Sequence, residues 1–475
     1  MKLREIFIGV YIVIMVVLFS SFNASLLVWI SFFMNALILF GITVYHLYYE
    51  KEYSPFLSSF IVFTFLFFLA APIVQINYAL QTNFKFTNFF PYTERLVLYT
   101  NSLIILFNLI FIFSYLFFKN KYKKKRVKLI NSKSEKALPL TIFILFILSV
   151  FVFFASYNFI SDEFFRPNWL TSSYAVSELL IWKKVLFLIP FGGILLSFQY
   201  FKKKGKISIN ISIIYIIFTF FILLLLWFKN PFTEKRNALG PIYICIIFLF
   251  YPKLLNKNIK TLSFLFFSMI ILFPLVAMIT HSDATLLQIY HDPFILIEQM
   301  KGGGISNSFI SLNYDAFSNI MATIDYVHKQ GFSYGYQLLS AILFFVPRSI
   351  WVSKPMSTGH LVGEHLINDF GFSFSNLSNP LISEGFINFG IIGVFIGAIT
   401  LAYVLIRMMI WLKSDNYLKK IMAFYLAIHL IFLLRGDFTN GFSYYIGTLA
   451  GAFFIPKTIE YIINKSIFLS KDPKK

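Results

Sequence analysis

The chain has one cysteine in 475 residues, Cys245, so no intramolecular disulfide can staple its loops. Charge is also scarce. Asp, Glu, Lys and Arg together make up 13% of the residues, against about 25% in an ordinary soluble domain. No Gly-rich loop followed by Lys-Ser or Lys-Thr occurs, which excludes a phosphate-cradling ATPase motif. The longest glycine run, Gly302-Gly303-Gly304 after Lys301, lacks both the preceding strand and the second Gly followed by Lys-Ser or Lys-Thr and reads as a hinge. The period-2 alternation of a membrane barrel is missing, as is the internal repeat that marks many secondary transporters.

What is abundant is apolar and aromatic. Hydrophobic residues reach 58%, aromatics 20% and mean hydropathy +0.75. The apolar residues fall in runs near the roughly 20 residues that a helix needs to cross a bilayer. Lipid offers backbone amides no partners, so such runs must be helical. The expectation is an all-α polytopic membrane protein in one membrane domain, 1–475. Twelve spans are expected, at about 6–21, 26–48, 56–79, 96–118, 138–158, 179–200, 207–228, 238–252, 261–280, 386–410, 420–434 and 442–462. The eighth is short and the ninth contains proline. The first resembles a signal peptide, but Phe22 in the −3 position of its "FNA" site argues for an uncleaved anchor.

The formal net charge of +20 does not point to nucleic acid, because its placement follows topology. The run KNKYKKKRVK at 119–128, the KKKGK at 202–206, Lys253, Lys257, Lys260, Lys413, Lys419, Lys420 and the basic tail all fall in alternate loops. About 28 of the 41 Lys and Arg lie on that side, which makes it cytoplasmic, with both termini inside. Roughly 14 of the 21 Asp and Glu lie on the other.

Between spans nine and ten stand about 105 residues, 281–385, far more than a connection needs. This outer loop is expected to be partly helical. Phe309, Leu312, Phe317, Ile320, Ile324 and Val327 share one helical face. The apolar stretch 336–346 is too short to span, and lies in the outer interface or dips in and returns.

The loop also gathers basic residues. Arg348 follows Pro347 at the end of that stretch, and Lys354 and His360 come soon after. Arg236 opens the eighth span and Arg435 closes the eleventh, both at the same membrane side, with Lys183 and Lys184 near the start of the sixth. A lone arginine at this depth is ordinarily a snorkelling one. Three at one depth suit an anionic headgroup, because planar guanidinium forks bind phosphate oxygens in pairs. Glu384 opens the tenth span, where it could cap a helix, and Asp437 stands two residues from Arg435 and could pair with it. Glu364 shares a face with His360 if that segment is helical. Asp283, Asp292, Asp315, Asp325 and Asp369 read as scattered and solvated. His281, His291 and His328 lack the close pairing of a metal site, His46 and His429 lie in spans, and His360-Glu364-His365 fails the HExxH spacing. No metal and no cofactor is expected.

The stretch FVPRSIWVSKP at 345–355, with Thr358-Gly359 beyond it, resembles the Pro-Arg, Trp and Lys-Pro region of Wzy-type O-antigen and capsule repeat-unit polymerases. Ten residues separate Arg348 from Gly359, as in that family's Arg-x10-Gly pattern, and SEGFINFG at 383–390 is similar to its Glu-aromatic-Asn-Phe-Gly opening of a late span. The resemblance covers about 310–395. It implies a GT-C-like glycosyltransferase of the bacterial inner membrane that joins repeat units on the periplasmic side. Donor and acceptor would both be undecaprenyl diphosphate-linked oligosaccharides, with membrane lipid and a chain-length regulator protein as further partners. Within it, Arg236, Arg348, Lys354, Gly359, Arg435 and Asp437 are the expected substrate-binding residues. His360 is the expected base and Glu384 the reserve. An O-antigen ligase shares donor and arginines, but the Arg-Ser-Ile-Trp and Lys-Pro pattern favours the polymerase. A lipid-linked oligosaccharide flippase would have short outer loops, and a membrane scaffold would not need one-sided arginines.

Overall fold

A computed structural model describes residues 3–123, 137–165, 174, 176–203, 209–230, 234, 236–272, 291, 292, 294 and 309–471. His281, Asp283, the 301–304 hinge and the end of the ninth expected span lie outside them. Among the described residues the chain is helical, and pairing of extended backbone is limited to one isolated bridge, Lys85 with Pro91. Ten helices are long and apolar enough to cross a bilayer. They match the expected spans one to seven and ten to twelve within a few residues. Two shorter apolar helices, Asn237–Phe250 and Asn258–Leu272, stand where the eighth and ninth were expected. The chain is thus a polytopic membrane protein.

Pro55–Gln81 is the central post. It is apolar all round and almost wholly buried, as a helix without a polar face must be. Leu26–Val44 and Glu94–Lys123 pack on each other, and polar side chains tie them where lipid drives no association. Asn108 donates to Asn35 Oδ1 (3.0 Å), Asn101 donates to Ser31 Oγ (2.9 Å), and Asn35 reaches the Phe68 carbonyl (3.3 Å). At one end of the bundle the buried Lys119–Glu50 ion pair and the Asn258 amide, on the Glu52 carbonyl at 3.1 Å, join four helices.

The described part of the large loop is woven into the other end. Phe317, Ile320, Ile324 and Val327 are buried in the helix Ala316–Gln330, as their spacing required. Its Ser318, Asn319 and Thr323 are buried too, because a non-helical strap, 372–380, covers them. Asn319 donates to the Ser378 carbonyl, and Thr323 donates to Asn379 Oδ1 at 3.1 Å. The apolar stretch forms only Tyr336–Ile342, which lies against Phe438–Leu449. Thr358–Phe370 follows as a third loop helix.

The tenth span is broken. Leu381–Leu412 has non-helical backbone at Phe389 and Gly390, the latter at φ +61° and ψ −142°. That conformation belongs almost solely to glycine. The chain folds back so sharply that a Cβ on Gly385 would stand 2.6 Å from the Gly393 carbonyl oxygen. The piece 381–388, carrying Glu384, therefore lies beside the start of the piece 391–412.

Candidate active site

Four residues from three distant segments meet in a buried knot. Thr358 Oγ1 donates to Glu384 Oε2 at 2.6 Å and lies 3.4 Å from Asp437 Oδ2. The Gly359 amide donates to the same Asp437 oxygen at 2.9 Å. The other Asp437 oxygen accepts the Asn440 amide at 3.2 Å, capping the helix Phe438–Leu449. Asn388, one turn after Glu384, donates to its carbonyl (2.8 Å) and to Oε1 (3.3 Å). Glu384 and Asp437 are both buried. Burying two carboxylates is costly unless hydrogen bonds surround them, and here a single hydroxyl joins them. Glu384 does not cap its own helix, as it could have done.

Glycine at 359 is required by packing. A Cβ there would overlap the Leu377 carbonyl and stand 3.1 Å from Asp437 Oδ2. One turn on, a Cβ at Gly363 would come within 2.7 Å of Ser375 Cα. The strap therefore rests directly on two glycines of one helix face.

His360 and Glu364 share a face of Thr358–Phe370, with Nε2 3.0 Å from Oε1. Both are solvent-accessible, His360 at 27% of its side chain. The opposite face holds His365, buried, with Nε2 2.9 Å from Asp325 Oδ2 and Nδ1 3.4 Å from Asp369 Oδ2. These three could supply metal ligands, but the Lys329 ammonium lies on both carboxylates, 3.0 Å from Asp325 and 2.7 Å from Asp369. Its hydrogen bond holds Asp369 below the usual carboxylate range. Asp325 and Asp369, expected to be scattered and solvated, come together to clamp two loop helices.

Arg348 and Lys354 build one turn. The Arg348 guanidinium donates to the Lys354 carbonyl, to the Pro355 carbonyl at 3.2 Å and to Met356 Sδ at 3.0 Å. The Lys354 ammonium donates to the carbonyls of Leu343, Phe344 and Val346, each at 3.0 Å. They lie just past the end of Tyr336–Ile342, where carbonyls lack helical partners. Burial, then the neighbouring Arg348 charge, holds Lys354 below the usual lysine range.

Arg435 does not pair with Asp437. Its Nη2 donates to the Leu312 carbonyl at 2.9 Å and lies 3.6 Å from Asp315 Oδ1. Asp315, also expected to be solvated, is 2% exposed and accepts the Ser378 hydroxyl at 2.6 Å. Burial raises its pKa above the usual range, and Arg435 opposes that rise. Beside the pair lies a cavity of about 620 Å³, lined by Leu312, Asp315, the strap 373–378 and Arg435. Arg236 opens the helix Arg236–Phe250, but its side chain lies outside the described residues. Lys184 donates to Ser443 at 2.5 Å, and Lys183 pairs with Glu163 at 2.8 Å.

The fold thus joins Gly359, Glu384 and Asp437, sets His360 on the helix that begins at the knot, and keeps Arg348 with Lys354. Thr358, Asn388 and Gly363 were given no role in the sequence reading, and Asp315 was read only as solvated. The Gly359–Gly363 spacing and the polar run SFSNLSNP at 373–380 were the available signals.

No curated protein and no solved structure matches the chain. A family model does: that of O-antigen polysaccharide polymerase Wzy, over residues 363–461. These residues hold Glu384, Asn388, the broken span, Arg435 and Asp437, and they overlap the stretch whose motifs carried the resemblance. Over this region, about a fifth of the chain, the sequence is similar to the Wzy O-antigen polymerase family.

Proposed function

We propose that the chain polymerises lipid-linked repeat units of an O-antigen or capsular polysaccharide on the outer face of a bacterial inner membrane, within a GT-C-like fold. The glycan on one undecaprenyl diphosphate is transferred to the non-reducing end of another carrier-linked unit. The observation that carries this reading is the Thr358–Gly359–Glu384–Asp437 knot. It joins the loop motif to the family-matched residues.

In the proposed step the acceptor hydroxyl oxygen attacks the anomeric carbon. The bond from that carbon to the diphosphate oxygen breaks, and its electron pair leaves with undecaprenyl diphosphate. The hydroxyl proton passes to His360, which is accessible and held by Glu364. Glu384 is buried with both oxygens engaged, which suits a positioning role and leaves it the reserve base. Arg348 and Lys354, with Arg236, provide fixed positive charge for the departing diphosphate. Gly359 and Asp437 fix the segment that carries His360.

A strain lacking this chain tests the reading. It should make carrier-linked glycan of one repeat unit only, and the wild-type gene should restore the ladder of longer chains. A full ladder without the chain would overturn the proposal.

A further inference from the structure

The cavity beside Arg435 has the chemistry of a sugar site rather than of a diphosphate site. Its volume of about 620 Å³ is within the roughly 300–1,000 Å³ of small-molecule pockets. Its lining is rich in hydroxyl and amide groups, Ser373, Ser375, Asn376 and Ser378, which donate and accept as sugar hydroxyls do. Phe374, 59% exposed, lines it with an open aromatic face on which the C–H face of a pyranose can rest.

The electrostatics point the same way. The Arg435 charge is answered by Asp315 at 3.6 Å, so the wall is nearly neutral, and a diphosphate entering here would meet a carboxylate. Arg435 still has a donor to give. Its side chain is 20% exposed and lines the cavity, and the guanidinium N–H groups beyond the one on the Leu312 carbonyl can donate to a neutral acceptor such as a sugar oxygen.

We propose that this cavity is a subsite for a sugar of the repeat unit, an inference that rests on the polymerase reading for the identity of its ligand. Its position fits that use. The strap that walls it lies on Gly359 and Gly363, so cavity and knot share one wall, and an occupant is held beside the helix that carries His360. Diphosphate recognition falls to the other cations, and Arg435 becomes a specificity residue for the glycan.

The test uses the purified full chain in lipid nanodiscs. The probe is the phosphate-free oligosaccharide released by mild acid from carrier-linked repeat units, followed by saturation-transfer NMR. Asn376→Ala and Phe374→Ala, both at exposed positions that leave folding intact, should each weaken binding about tenfold, the scale of one lost hydrogen bond or aromatic contact. Inorganic diphosphate should not compete. Failure of the wild-type chain to bind, unchanged binding in both variants, or displacement by diphosphate would each overturn the subsite. The polymerase reading fails separately, through a normal ladder in the deletion strain. If deletion abolishes the ladder and the double variant restores it in full, the subsite alone is wrong.

Discussion

Replacing Arg435 with alanine removes the cation that faces Asp315. Taking one partner from a buried ion pair costs about 3–5 kcal/mol, because the other charge stays buried and unanswered. The low end applies here, about 3 kcal/mol, since the Arg435 side chain is 20% exposed and Asp315 keeps the Ser378 hydroxyl. Asp315→Asn should cost less, about 1 kcal/mol, as the guanidinium it strands can reach water. The double variant should therefore lose far less than the sum of the single losses. The pH dependence has a definite sign. Burial already raises the Asp315 pKa, and Arg435 opposes the rise, so Arg435→Ala raises it further. A carboxyl with a raised folded pKa binds its proton more tightly in the folded state. Stability therefore grows as pH falls through that pKa, and the penalty is full above it. The gap between variant and wild type should narrow on acidification. Reversible unfolding in mixed micelles, titrated with SDS at several pH values, measures all three variants. Additive losses, or a gap that widens in acid, would refute the pairing argument.

Three further outcomes are expected. Gly363→Ala should cost about 1–3 kcal/mol by overpacking against the backbone of Ser375, and unchanged stability in the same titration would detach the strap from the helix. Arg348→Lys should shorten the glycan ladder although charge is kept, since an ammonium cannot reproduce a planar fork; a normal ladder from a well-expressed variant would reduce Arg348 to a turn-former. His360→Ala should slow transfer by roughly 10²–10⁴-fold with little loss of donor binding. If it turns over normally while Glu384→Gln is inactive, the base is Glu384.

Ten of the twelve expected spans were legible because a bilayer imposes one rule on every segment that crosses it, and apolar length reports that rule directly. The helix Ala316–Gln330 was legible for a similar reason, as its buried face repeats at helical spacing. The break at Gly390 was not. A glycine inside an apolar run is common in membrane helices, and nothing local distinguishes one that reverses the chain. The pairing of Arg435 with Asp315 was hidden by distance: Arg435 also holds Leu312, 123 positions away in sequence. Proximity in sequence suggested Asp437 instead. That carboxylate is drawn to the Gly359 and Asn440 amides, because it stands at a helix N-terminus.

The cations expected to act together are placed under different electrostatic conditions, and this divides their roles. Arg435 has a carboxylate at ion-pair distance. Arg348 and Lys354 have none among the described residues, and their hydrogen bonds go to backbone carbonyls and one methionine sulfur. Carbonyls satisfy donors without cancelling charge, so two positive groups are left side by side. Burial first, and that repulsion second, hold the Lys354 pKa below its ordinary range. A dianion bound there would relieve it, returning Lys354 towards its ordinary range and offsetting part of its burial. In the proposed reaction the diphosphate therefore belongs at the Arg348–Lys354 turn and the sugar at the Arg435–Asp315 wall. The chain from Lys354 to Gly359 leads from one to the other, and His360 follows on the helix that begins between them.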